Sequence, residues 1–163
     1  MGMEKGISMR MAALVLVVLC FFSESFGAHD DSKKEVQRVF NHFIAAFNNL
    51  DWDVFRKTLA DDVSVFNPDI AEVPSVNRLD GRRQVEAGFK SVFAATREKA
   101  SGPPYLHIVP KNVHIQMYGD SAIVTFEFER DGNSLGRRTL VFRRDSAGWK
   151  IVHIHASNVE RRN

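Results

Sequence analysis

An α+β fold is the class this sequence predicts, and three observations predict it. Apolar residues recur at helical spacing in the first half, as Val36, Val39, Phe40, Phe43, Ile44 and Phe47. From Tyr105 onward the pattern changes to alternation, with Ala122, Val124, Phe126 and Phe128 on one face of a strand. Helical and extended stretches are segregated along the chain, which excludes an alternating parallel α/β arrangement. The expected architecture is a curved antiparallel sheet wrapped around three N-terminal helices, with a conical cavity at one end.

Each element has its own signal. Residues 1–28 read as a signal peptide: Arg10 and Lys5 give a basic start, Met11 to Phe22 is an apolar run, and Ser25-Phe26-Gly27-Ala28 offers small residues for cleavage. The pattern works equally from Met9. The run is short for a bilayer span, so no membrane attachment is expected after cleavage. Residues 29–163 form the domain, secreted or periplasmic. Asp31 or Ser32, with Glu35, caps the first helix. Asp51 caps a short second one, whose inner face is Trp52, Phe55 and Leu59. Val63 to Phe66 is a short strand. A loop to Leu79 holds Asp69 and Glu72 and forms a lid or rim. Asp80 caps the third helix, with Val85, Phe89, Val92 and Phe93 inward. Four strands follow: Tyr105 to Met117 with an interruption at Pro110, Ser121 to Arg130, Gly136 to Arg144, and Gly148 to Ser157. Asp131-Gly132 is the hairpin signal between the second and third.

Composition limits the function. The chain has 163 residues and a net charge of +2, and the two acidic and two basic residues of the leader cancel. The Arg pairs are scattered rather than gathered into a stripe, so no nucleic-acid partner is expected. Cys20 is the single cysteine and lies in the leader, so the mature domain has no disulfide and relies on its core. No phosphate-cradling glycine loop, nucleophile triad or diagnostic metal spacing is present, and no cofactor or metal is expected.

Gly148-Trp149-Lys150-Ile151-Val152-His153-Ile154-His155-Ala156-Ser157 resembles the ending of SnoaL-like domains in the nuclear transport factor 2-like superfamily, and that of the calcium/calmodulin-dependent kinase association domain. Asp61-Asp62-Val63 and Asp120-Ser121-Ala122-Ile123-Val124 fit the same pattern. The resemblance covers residues 33–158. It implies a cone-shaped (cystatin-like) α+β barrel, dimeric or larger. Its activities range from isomerases, cyclases and dehydratases to assembly modules, so the fold alone does not choose.

The strongest chemical feature is the last strand. Strict alternation places Trp149, Ile151, His153, His155 and Ser157 on one face, so both imidazoles are expected among apolar neighbours. There His155 or His153 would move a proton in cofactor-free isomerisation, dehydration or cyclisation, or serve as a hydrogen-bonded structural residue. Arg138 shares a face with Leu140 and Phe142; if inward, its guanidinium can hold a ligand carboxylate, and otherwise it is a solvated Arg on an outer face or interface, the commoner place for an arginine. Phe66, Phe126 and Phe142 offer apolar walls, and Trp52 and Tyr105 polar tips at the mouth. The expected partner is a small, mostly apolar molecule, together with a second copy of the chain. The competing expectation is a non-catalytic homo-oligomerisation module with an incidental cavity.

Overall fold

The structure, a computed structural model, describes residues 30–67, 78–130 and 134–160. The leader, the loop with Asp69 and Glu72, and the Asp131-Gly132 turn lie outside those residues. The chain divides into a unit of residues 1–34, whose described part is helical from residue 30, and a unit of residues 35–163. The helix is already running at Asp30, so Asp31 and Ser32 are helical residues rather than caps.

Helix α1 covers residues 30–48, and its part in the larger unit contributes Val36, Phe40, Phe43 and Ile44 to the core. The predicted stripe is therefore the buried one. Asp51 caps α2 (Trp52–Phe55) by accepting from Val54 N at 3.0 Å, as expected. A single 3₁₀ turn, Arg56–Thr58, leads into β1 (Leu59–Phe66). Two-residue β2 (Leu79–Asp80) precedes α3 (Gly81–Lys99). Asp80 sits at the α3 N-cap position without a capping bond; its carboxylate holds Arg78, and Gln84 Oε1 accepts from its N–H. Strands β3 (Lys111–Tyr118), β4 (Ser121–Glu129), β5 (Ser134–Asp145) and β6 (Gly148–Glu160) complete the fold. Residues 105–110 are not strand. They are tied instead to the end of α1: Leu106 N donates to Asn48 O, and the Asn48 side chain bonds both Ile108 N and Ile108 O.

The sheet has six strands in the order β2-β1-β6-β5-β4-β3. It is mixed, which corrects the expected antiparallel sheet: β1 runs parallel to β6, with Ser64 opposite His153 and Phe66 opposite His155. The chain passes through β2, α3, β3, β4 and β5 between these strands, so no local turn signal reveals their pairing. Phe55 is the hub of the core beneath the sheet's inner face. Its ring lies 4.8 Å from Phe89, 5.1 Å from Phe43 and 5.4 Å from Phe93. Each such pair adds about 0.5–1.5 kcal/mol beyond its buried area.

The last strand corrects the sequence reading most. Val141 pairs with His153 and Phe142 with Ile151, so Val152 is an extra residue without a partner on β5. One extra residue reverses the alternation beyond it. Trp149 and Ile151 are buried before the bulge, and Ile154 and Ala156 after it. His153 and His155 therefore stand on the outer face. The reason is energetic: strict alternation would bury two imidazoles and expose Ile154, and exposing that side chain costs about 1.5–3 kcal/mol.

Deleting Val152 is expected to give a regular ladder in which Ile151, Ile154 and Ala156 still face inward and both histidines still face outward, so the fold should survive. Deleting Val152 and His153 together should instead turn Ile154 outward and His155 inward and lower stability by about 2.5–6 kcal/mol, the sum of an exposed isoleucine and a buried unsatisfied polar group. Denaturant midpoints check this; a single deletion that costs as much as the double one would refute the bulge.

Candidate functional site

The residues singled out by sequence separate into four places. Phe142 is 0 % exposed, a core residue with no surface for a ligand. Trp52 and Tyr105 line an open cleft of about 530 Å³ between α2, α3 and the segment after α3, together with Phe93, Lys90, Arg97 and Pro103. Its cations are already engaged. Lys90 pairs with Glu86 at 2.7 Å and lies over Trp52; Arg97 bonds Leu50 O at 3.1 Å and lies over Tyr105.

The histidines form an outer-face cluster with Phe66. Strand β1 carries Ser64 and Phe66 beside β6, and Asp80 of β2 lies across from Ser64. Ser64 Oγ and His153 Nδ1 share a hydrogen bond at 2.9 Å. The Phe66 ring contacts both imidazoles, at 5.7 Å from His153 and 5.9 Å from His155, and Arg78 sits over its face. Burial, then the neighbouring His155 and Arg78, hold the His153 pKa below its ordinary value, against a smaller opposing pull from Asp80. The row Asp80-Ser64-His153 is not a catalytic triad, because the serine rather than the histidine is central.

Arg138 and Phe126 lie on the opposite, inner face. Arg138 of β5 is directly across from Phe126 of β4 and Ala156 of β6, and shares its face with buried Leu140. The condition set by sequence, that this face look inward, is met. The guanidinium lies 4.8 Å over the Phe128 ring, and Nη1 donates to Arg137 O at 2.8 Å and Ser157 O at 2.9 Å. No carboxylate pairs with it among the described residues. Burial, with Arg130 second, pushes its pKa down to about 10, so it remains a cation at neutral pH with no counter-ion among the described residues. Phe128 reaches this position because Gly136 lies beneath it: a Cβ there would fall 2.4 Å from the ring.

Sequence reasoning missed Asn158. It faces Gly136 across the β5–β6 ladder, on the inner face once the bulge is counted, and its Oδ1 is buried without a hydrogen-bond partner among the described residues. Its signal is the continuation of the 154, 156, 158 series, legible only with the bulge known. Trp149 Nε1 is also unpartnered, but it lies opposite Arg144 at the other end of β5. Among the described residues there is no group of three or more metal-ligating side chains, and no helix long and apolar enough to cross a membrane.

Comparison with known proteins matches the SnoaL-like domain family to residues 36–160. No curated protein matches the chain. Among solved structures, a proposed dehydratase of the NTF2-like family from Streptomyces avermitilis is similar at 26 % identity and a TM-score of 0.64, over 80 % of this chain and 97 % of that one. A proposed calcium/calmodulin-dependent protein kinase type II association domain from Thiobacillus denitrificans is similar at 26 % identity and 0.61, over 76 % and 94 %. A proposed ketosteroid isomerase from Parabacteroides distasonis shares 22 % identity and a TM-score of 0.56, over 74 % and 85 %.

Because the folded His153 pKa is depressed, the unfolded chain binds the proton more readily. The stability penalty starts as pH falls through the unfolded value, about 6.5, and is complete below the folded one. Urea midpoints should fall from pH 8 to pH 5, and His153→Gln should flatten part of that slope; an unchanged slope would remove His153 from the account.

Proposed function

The chain belongs to the SnoaL-like domain family, and from that premise we propose that it is an exported protein that binds a small, mostly apolar molecule on the inner sheet face, in a conical pocket at the Arg138 end. One observation carries the reading: a half-buried cation on an apolar face, stacked on Phe128, with no acid beside it among the described residues. Desolvating a charge is costly without a compensating partner, so such a group is stabilised by an incoming anionic or strongly polar ligand. Phe126 and Phe128, 4 % and 6 % exposed, are the apolar rings beside that cation and would form the floor under the rest of the molecule.

Neighbours named as a dehydratase and a ketosteroid isomerase suggest cofactor-free acid–base chemistry as a further step. The residues do not support that step at Arg138. His153 and His155 are on the other side of the sheet, too far around the strand to move a proton of a ligand held there. The reading therefore stops at binding.

A second reading concerns the outer face. Ile123 pairs across the ladder with Val141, and Thr125 with Thr139, and all four are half-exposed in the single chain. Such an uncharged strip suits self-association of two sheets, and the likeness to a kinase association domain supports the same reading.

Native mass spectrometry is expected to show a small-molecule adduct on the folded protein, lost on Phe128→Trp, which enlarges the ring beneath the Arg138 guanidinium. A bare wild-type protein whose melting temperature moves with neither millimolar 3-phenylpropionate nor millimolar 3-phenylpropionamide would refute the binder. For the outer face, Val141→Lys should convert a dimer to a monomer in sedimentation without altering probe binding; a wild-type monomer would refute that surface.

A further inference from the structure

Two polar groups on the inner face have bonding capacity left over, and they differ in kind. Both hydrogens of Arg138 Nη1 are committed to the carbonyls of Arg137 and Ser157. Those bonds fix the guanidinium plane and leave the edge formed by Nε and Nη2 without a partner among the described residues. That edge presents two parallel N–H groups, the geometry that a carboxylate matches with both oxygens. Asn158 leaves the opposite capacity: its Oδ1 accepts nothing, although it is buried. An acceptor taken out of water without a donor costs about 1–3 kcal/mol, so the vacant lone pairs are a demand for a donor.

The register places the two together. Arg138 is opposite Ala156 and Gly136 opposite Asn158, so Arg138 and Asn158 are diagonal neighbours on one face. Diagonal positions are about 7–8 Å apart at the backbone, within reach of a long side chain. Phe128 lies between them, packed onto Gly136 and under the guanidinium. Within one small molecule's span there are thus a fork for an anion, an acceptor for a donor and an aromatic floor.

We propose that this site takes an apolar monocarboxylate bearing a hydroxyl or N–H close to its carboxylate. The carboxylate lies on the Nε/Nη2 edge of Arg138, the donor reaches Asn158 Oδ1, and the carbon skeleton rests on Phe128. The proposal rests on the inner-face binding reading and adds the chemistry of the ligand to it. Neutral molecules leave the guanidinium without a counter-ion, and carboxylates without a donor leave Asn158 unsatisfied. Discrimination should follow in that order.

Calorimetry with three probes tests it: 3-phenyllactate, 3-phenylpropionate and 3-phenylpropionamide. Wild type should bind phenyllactate tightest, phenylpropionate about tenfold weaker, and the amide about tenfold weaker again, each step being one polar contact. Arg138→Gln should erase the acid–amide difference. Arg138→Lys, which keeps the charge but loses the fork, should retain only part of it. Asn158→Leu should erase the hydroxyl step and leave the acid–amide step in place. Circular dichroism melts confirm that the variants fold, and Arg138→Lys carries the test where Arg138→Gln does not. Equal affinity for acid and amide would overturn the carboxylate assignment while leaving the pocket intact. Equal affinity for the two acids would overturn the role of Asn158. Failure of all three probes to bind at millimolar concentration would overturn both this proposal and the binding reading beneath it.

Discussion

The arrangement of the whole sheet depends on one unpaired residue. A strand buried on one side must offer apolar side chains to that side along its full length. Strand β6 cannot do so with strict alternation, because Ile151 and Ile154 are separated by an odd number of steps. The extra residue at Val152 reconciles them. Everything of chemical interest takes its place from that correction. The histidines leave the interior, Ala156 becomes the small residue opposite Arg138, and Asn158 is brought to the inner face.

Much of the fold was legible in the residues. The Phe-rich stripe of α1, the Asp51 cap and the alternation of β4 are local patterns, and local patterns are read correctly when one force dominates. The inward direction of Arg138 was not legible: Leu140 and Phe142 share its face, but a lone arginine on a strand reads more readily as solvated. What was not legible depends on partners distant in sequence. Ile151-Val152-His153-Ile154-His155 reads as unbroken alternation, and neither Gly nor Pro marks the bulge. It exists only because β5 presents Val141 and Phe142 to it in a fixed register. The parallel match of β1 to β6 is of the same kind. Asn158 was invisible because an asparagine near a strand end looks like surface.

The two faces of the sheet divide the chemistry between them. The outer one gathers exposed ion pairs such as Arg137 with Glu127 and Arg143 with Asp62, which contribute little to stability because water screens them. It also carries the Ser64–His153 bond and the uncharged Ile123–Val141 pair. The inner one holds Arg138 among aromatic rings. A charge in that setting costs stability, and the rings and carbonyls around Arg138 offset part of that cost without neutralising it.

The amide of Asn48 has a consequence for how this chain can diversify. It takes the place of a neighbouring strand for the stretch entering the meander, answering both the N–H and the carbonyl of Ile108 from sixty positions earlier. The helical half and the sheet half are therefore not interchangeable modules. A chimera that borrowed the first half from a relative would need to import an amide at this position, or find another way to seat the crossover. Inheritance of the two halves is coupled through one side chain.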